Sequence, residues 1–455
     1  MDECVTLSPL GILGYGIPED SIRRAKEEYE IDVIAVDAGS VDPGPNYLGM
    51  GESFTDHDMV KRDLEILLDA RADLDVPLLV GTAGGAGAEP HLNWLDGILT
   101  DLLREGDRSL AVARIYTDVD REYLRAKRDA GEVSELDHHV ALTDERLAET
   151  STMVAQIGHE PYVEALSAGA DVVLGGRSSD LAPFSAVPLQ EGFDRGLTAH
   201  MAKILECGAH ATEAGTGADG LIGILGEDRF EVVPPNPEKR CTVESVSAHT
   251  LYEKANPHRI HLPGGHVDVS AATFEQVADR RVRVAGSRFH ATEPRAVLVE
   301  GVRRRGYRTI TVAGIRDPTT LDHLDDLVAG TTARVAEFFD DRADEYDLAV
   351  RTYGVDAVPL YEVDRGETPE TPPEVGVVID ALASTQEFAD TVCSMARSTL
   401  LHHPFEGRTA TGGNLAFPYS PSDVSVGEVY EFSVHHLVED VAPSRLATVE
   451  TEVLP

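Results

Sequence analysis

Short apolar runs and helix-spaced apolar stripes alternate from about residue 9 to residue 207. Residues 9–16 (PLGILGYG) predict a first strand that ends in glycines. Pro18, Glu19 and Asp20 then open a helix, with proline early and acids near the positive end of the dipole. Residues 31–36 (IDVIAV) form an unbroken apolar run, as expected of a parallel strand covered on both faces. Val60, Leu64 and Leu67 mark another helix. Residues 76–80 predict a central strand that runs into Gly81-Thr82-Ala83-Gly84-Gly85-Ala86-Gly87. Glu89 and Pro90 start the next helix, which carries Leu95, Ile98, Leu99 and Leu102 at helical spacing. Residues 110–116 and 170–174 are further strands, and Met201, Ile204 and Leu205 lie on a last helix. Such alternation implies an α/β domain with a parallel sheet, assigned to residues 1–218.

The second half loses this rhythm. Pro234-Pro235-Asn236-Pro237 and Pro263-Gly264-Gly265 are loop chemistry. Residues 296–300 and 309–313 predict adjacent strands joined around Arg305-Gly306. Leu321, Leu324, Leu327, Val328, Val335 and Phe338 form a helical stripe, and residues 348–352 and 375–379 are strands. Ser384-x-x-Glu387 is a capping box before a helix with Phe388, Val392, Met395 and Ala396 on one face. The expectation is a smaller split α+β domain over residues 219–455, of β-β-α-β-β-α type, closing a cleft against the first.

Charge narrows the setting. The 455 residues include 80 acidic and 39 basic side chains, a net −41 spread along the whole length. Such a surface repels itself in dilute buffer, and the repulsion largely disappears in molar salt, where the screening length is about 3 Å. This is the composition expected of a cytoplasmic protein from a high-salt organism, and it argues against nucleic acid as a partner. Cys4, Cys207, Cys241 and Cys393 are scattered, so neither a disulfide framework nor a structural zinc site is indicated. No leader-like segment and no apolar run of about 20 residues is present, so no membrane partner is expected. A homo-oligomer is the expected assembly, with a second small subunit left open.

A strand, glycine turn and helix present free backbone N–H groups to an anion. Gly81, Thr82, Gly84, Gly85 and Gly87 are therefore substrate-binding candidates, although the same turn serves close helix–strand packing. It is neither G-x-G-x-x-G nor a P-loop. Other polar residues fall at the carboxyl ends of the strands, where open α/β sheets bind ligands: Asp37, Ser40, Asp118, Arg177 and Asp180. Asp37 and Asp180 are candidate acid/base groups. Arg177, flanked by Ser178, can grip a carboxylate or phosphate, or pair with Asp180 to fix its loop. Asp37, Ser40 and Asp118 can also hold a hard divalent cation, and the cofactor stays open. Asp118 reads better as a helix cap.

His91, just after the glycine turn, can move protons near a bound anion or be a surface histidine. His200, Lys203 and Glu206 share a helix face that reads as solvated or as a subunit contact. His258, His261, His266 and Asp268 look like metal ligands, but their spacing matches no standard site. Arg397 and Asn414 belong to a second polar cluster with Ser398, Gly412 and Gly413. Arg397 would clamp a carboxylate or a CoA phosphate, or the cluster simply ends a helix. No hydrolase elbow or dinucleotide fingerprint is present.

GTAGGAG with Pro90-His91, then GGRSSD, then His200-x-x-Lys203-x-x-Glu206-Cys207-Gly208-Ala209, then ARSTLLHHPFEGRTATGGNLAFPYSPSD occur in that order. Together they resemble the acyclic terpene utilisation (AtuA) family, over nearly the whole chain to about residue 438. The resemblance implies a place in citronellol and geraniol breakdown through branched acyl-CoA intermediates. Some members look instead like parts of amino-acid or carboxylic-acid catabolism, and a methylaspartate ammonia-lyase label is sometimes attached. The expectation is an enzyme of acyl-CoA or small-carboxylate catabolism with lyase or hydro-lyase chemistry, its partner a small anionic substrate or an acyl-CoA. The alternative is a non-catalytic ligand-binding or scaffold subunit of a catabolic complex.

Overall fold

A computed structural model of the chain describes residues 2–136, 141–213, 219–252, 256–355, 357, 372–408, 412–439, 441–442 and 445–455. They form two compact units: unit 1, Met1–Arg303 with Phe432–Pro455, and unit 2, Arg304–Glu431.

Five strands of unit 1 run parallel: β1 (Cys4–Ser8), β2 (Val33–Asp37), β3 (Leu78–Gly81), β4 (Leu110–Tyr116) and β5 (Val172–Gly175), side by side in the order β1-β2-β3-β5-β4. Every residue of β2, β3 and β5 is buried, which is why these strands are apolar almost throughout. Helices α1 (Glu19–Glu28), α2 (His57–Leu74) and α3 (Glu89–Glu105) cover one face; α4 (Ala182–Gln190) and α5 (Arg195–Leu205) belong to the other. Leu78 and Val80 pack among the Leu64, Leu67, Leu95 and Leu99 stripes, while Leu79, one residue out of phase, belongs with Phe184 and Met201. Asp56 starts α2 by accepting the Asp58 and Met59 N–H groups. Pro90 sits in the first turn of α3, as expected.

Three expectations change. Residues 9–16 are a loop, and the first strand lies just before them at Cys4–Ser8. Gly14 and Gly16 take φ of 100° and 94°. The fully buried Asp63 accepts the Gly14, Gly16 and Ile17 N–H groups at 3.0, 2.9 and 2.8 Å. Amides held by a carboxylate cannot join a strand ladder. Second, residues 219–303 pack with unit 1. Leu221–Leu225 pairs antiparallel with β1, Arg229–Val233 pairs with Leu221–Leu225, and the hairpin Thr273–Ala278/Arg281–Ala285 extends that edge. Thr448–Leu454 closes the opposite edge against β4, so the ten-stranded sheet is parallel only at its centre. Third, no turn forms at Arg305-Gly306. Ala296–Ile315 is one strand that passes from unit 1 into unit 2. It pairs with Thr152–Ala155 through Val299–Val302 and with Val375–Ala383 through Tyr307–Ile315, so the ladder resumes where a hairpin would have reversed it.

Unit 2 consequently reads β-α-β-β-α-β, the split arrangement, with helices Leu324–Phe338 and Gln386–His402. Its strand order is Tyr346–Tyr353, Val375–Ala383, Ala296–Ile315, Asp423–Glu439. The helix cap is Thr385, one residue later than expected, whose hydroxyl accepts the Phe388 N–H at 3.2 Å. Among the described residues no helix is long and apolar enough to cross a membrane.

Candidate functional site

A cavity of ≈ 290 Å³ opens at the carboxyl edge of β1 and β2, and all its lining residues belong to unit 1. Asp37, the last residue of β2, reaches it together with Ser40, Asp180 and Glu206. The 9–17 loop contributes Ile12 and Tyr15, and Phe54, His210 and Tyr252 add aromatic surface. Tyr252 lies nearly parallel to His210, ring centres 5.9 Å apart and planes 14° apart. Among the described residues no Lys or Arg lines this cavity.

Asp37, Asp180 and Glu206, with Asp42 as a fourth carboxyl, thus share one concave, largely apolar space. Burial raises the Asp37 pKa well above the ordinary carboxylate range, and Asp180 and Glu206 push it further, with Arg177 opposing. Its Oδ1 accepts the Ala38 N–H at 3.0 Å. Burial raises Glu206 as well, against the pull of Lys203, whose Nζ donates to Oε1 at 2.6 Å. Burial also raises the Cys207 thiol, so it stays protonated and non-nucleophilic. Ser40 holds the turn beneath them by accepting the Asp42 N–H at 2.9 Å.

Thr82, His91, Asp118, Arg177, Ser178, Arg397, Asn414 and the glycines of the 81–87 turn are not among the residues that line the cavity. The glycines of the 81–87 turn are packing positions. A Cβ at Gly84 would stand 2.3 Å from the His91 carbonyl oxygen, and one at Gly87 would stand 2.3 Å from the Arg177 nitrogen. Across the turn, a Cβ at Gly39 would stand 2.2 Å from the Gly85 carbonyl oxygen. A Cβ at Gly81 would meet Pro183 at 2.9 Å and Asp37 Oδ1 at 3.3 Å. Three of the turn's amides are already bonded, Ala83 to the Gly175 oxygen, Gly85 to the Thr82 oxygen and Gly87 to the Ala83 oxygen. Thr82 and Ser178 are buried and tie two loops together, the Ser178 N–H donating to Thr82 Oγ1 at 3.3 Å. Ser178 Oγ also meets the Tyr162 hydroxyl at 2.8 Å. Gly87→Ala should cost roughly 1–3 kcal/mol from overpacking, plus strain at its φ of 72°, read as a lower urea midpoint with an unchanged slope.

Arg177 is buried, and its charge is matched by an equally buried acid that sequence reasoning missed: Nε donates to Glu300 Oε2 at 2.7 Å. Asp180 Oδ1 stands 3.7 Å from its Nη1. His91 is buried too, with Nε2 3.0 Å from the Tyr47 carbonyl oxygen, and burial lowers its pKa. Asp118 does not cap the helix that follows it, Arg121–Asp129, where Asp120 takes that place; it accepts the Glu89 N–H at the start of the earlier helix α3, and burial pushes its pKa up to about 6.

In unit 2, Arg397 donates to Asp423 at 2.8 and 3.1 Å. Asn414 donates to the Leu400 and His403 carbonyls at 2.9 and 3.0 Å, which ends the preceding helix. His261, His266 and His290 face one another across the sheet Arg259–Leu262, Gly265–Asp268, Arg288–Ala291. Among the described residues no three His, Cys, Asp or Glu side chains are grouped so as to hold a metal ion.

The helix face of His200, Lys203 and Glu206 is buried, not solvated. His200 bonds Ser287 and Thr250 at 2.7 and 3.0 Å, and Glu206 turns into the cavity. Its spacing looked the same for a wet or a buried face; the small residues around it, Ala199, Ala202 and Gly208, were the available signal of close packing. Asp63 was also missed, and it shapes the wall that carries Ile12 and Tyr15. Asp63→Ala would orphan its backbone donors and should cost roughly 2–3 kcal/mol, with a raised KM from the loosened loop. Equilibrium unfolding and substrate titration check both effects.

A parallel α/β core with an acid-lined cavity at its carboxyl edge defines a class of proteins whose strand-end loops carry the ligand chemistry. Within that class the chain belongs to the acyclic terpene utilisation family (AtuA), whose family model matches residues 59–219 and 232–428. That membership connects it with acyclic terpene utilisation. No curated protein matches the chain significantly.

Proposed function

We propose that the chain is an enzyme of acyl-CoA or carboxylic-acid catabolism in acyclic terpene utilisation, acting by lyase or hydro-lyase chemistry. The observation that carries this reading is the convergence of Asp37, Asp180 and Glu206 on one cavity, with burial raising Asp37 and Glu206. Carboxyls whose surroundings hold them at different protonation states supply an acid and a base at neutral pH. Asp37, the more deeply desolvated, is the acid; Asp180 is the base, with Glu206 held beside it by Lys203. In a hydro-lyase step Asp37 gives its proton to a leaving hydroxyl as the C–O bond breaks. Asp180 takes the proton from the adjacent carbon, and an alkene and water leave. His91 and Arg177 support the loops around this pair.

The test is a panel of branched hydroxyacyl-CoAs and hydroxy acids assayed in molar KCl with and without Mg²⁺. Turnover that depends on Asp37 is expected. Turnover that appears only with a stoichiometric partner would instead make the chain the ligand-binding member of a complex. The same salt should stabilise the fold: with net charge −41, the melting temperature should climb steeply between about 0.1 M and 1 M KCl as the Debye length shrinks from ~10 to ~3 Å. A flat profile would argue against adaptation to salt.

A further inference from the structure

Bases are scarce in this chain, 39 against 80 acids. The buried pair Arg177 and Lys203 each have a carboxylate of their own, Glu300 at 2.7 Å and Glu206 at 2.6 Å. Elsewhere in unit 1 the ratio reverses. Arg195, the first residue of α5, and Arg295, just ahead of the strand Ala296–Ile315, both turn to Glu160, and among the described residues neither pairs with another acid. Arg295 Nη1 stands 2.9 Å from Glu160 Oε1. Arg195 Nη2 stands 4.0 Å from the same oxygen, beyond hydrogen-bonding reach. His159 Nδ1 lies 3.8 Å from the other oxygen, Oε2. Two guanidiniums and an imidazole thus share one carboxylate. Burial lowers the Arg195 pKa; Glu160 opposes that shift and Arg295 adds to it. Burial lowers His159 as well, and both guanidiniums push it the same way.

Donors are left over. Arg195 Nε and Nη2 and Arg295 Nε are shielded from solvent yet make no hydrogen bond, and Glu160 Oε2 is in the same state. Buried polar groups of this kind are costly unless something bonds them. Their positions are held. The Arg195 guanidinium lies over the Phe289 ring, 3.9 Å from its centre. A Cβ at Gly264 would stand 2.6 Å from Arg295 Nη1, and one at Gly158 would stand 2.5 Å from Glu160 Oε2. We propose that Arg195, Arg295 and Glu160 form a binding site for a phosphate group that still carries a proton, either free phosphate or a phosphomonoester. None of the three lines the carboxyl-rich cavity, and the inference needs nothing from the catalytic reading. The two guanidiniums donate to phosphate oxygens. Glu160 Oε2 accepts from the protonated one, which turns a like-charge contact into a hydrogen bond. Sulfate has no proton to give at neutral pH, so the same carboxylate repels it.

The experiment titrates inorganic phosphate, glycerophosphate and sulfate into the full chain by calorimetry in molar KCl. The pH is 6, where about half of a monoester's phosphate keeps its second proton. At least one of the two phosphates is expected to saturate the chain with a dissociation constant of about 1 mM or lower, and sulfate to bind at least about tenfold more weakly. The tighter of the two phosphates identifies the source of the group. Arg195→Gln should weaken phosphate by about tenfold or more. Glu160→Gln should close the gap between phosphate and sulfate, because an amide can donate to either anion. A cluster that only braces the fold predicts neither change, and urea midpoints show that the variants are folded. If Arg195→Gln does not fold, the wild-type preference and Glu160→Gln decide alone. Three results would overturn the inference: no saturable phosphate binding, which would mean that chloride outcompetes it; sulfate bound as tightly as phosphate by the wild type; or a folded Arg195→Gln with unchanged affinity. A phosphate preference that survives in Glu160→Gln removes the acceptor role and with it the proposed ligand.

Discussion

Asp37→Asn will lose at least about a hundredfold in kcat, the usual worth of a positioned acid, and will at the same time make the protein more stable at neutral pH. Burial, Asp180 and Glu206 raise the Asp37 pKa above its unfolded value. Between those two values the folded state binds more protons than the unfolded chain, so stability falls as pH rises through the window. Above the folded pKa the whole penalty applies; below the ordinary carboxylate range near 4 it is absent. The amide of Asn titrates nowhere in this range and keeps the shape. Its stability advantage should be near zero in acid and grow to about 1 kcal/mol at pH 8, the scale typical of relieved active-site strain. Urea unfolding at the two pH values, alongside turnover, measures both halves. A variant that is active, or one that is less stable than wild type at pH 8, would show that Asp37 is a structural acid.

Arg177→Ala should be the most destabilising single change in unit 1, by about 3–5 kcal/mol, because Glu300 would remain buried with no counter-charge. Glu300→Ala should cost a similar amount for the mirror-image reason. Replacing both at once, Arg177→Met with Glu300→Leu, should recover most of the loss, since a buried ion pair exchanged for apolar volume is often neutral or better. The double-mutant cycle therefore has a large coupling energy as its signature. If Arg177→Ala folds with near-native stability and raises KM alone, the guanidinium belongs to the substrate and not to Glu300.

Most of the parallel core could be read in advance because β2, β3 and β5 are buried on both faces, and such strands leave continuous apolar runs that little else imitates. The antiparallel margins could not. RFEVV and RVRVA alternate, as a strand on any sheet with one open face would, and nothing local says which sheet they join. Asp37 and Asp180 announced themselves by position, as acids at the end of apolar strands. Glu206 did not, because a helix spacing of three carries no information about which side is wet, and Lys203, its buried partner, made the face look solvated. The glycine turn was ambiguous for a physical reason. Glycine serves both to expose amides and to let two backbones touch, and at Gly39, Gly84 and Gly87 the second use is the one that operates. Glu300 was visible as a lone acid among valines in VLVEGV, but pairing it with Arg177 needed the third dimension.

Unit 1 is built from two pieces of chain with unit 2 between them, and its edge strand Thr448–Leu454 lies against all seven residues of β4. On the ribosome, residues 304–431 therefore emerge as one uninterrupted block while the larger unit still lacks its closing strand. Until that strand arrives, β4 presents a bare, pairing-competent margin to other nascent chains. Translation speed over the last stretch, and whatever shields that margin meanwhile, should govern the yield of native protein more than the order in which the central strands form.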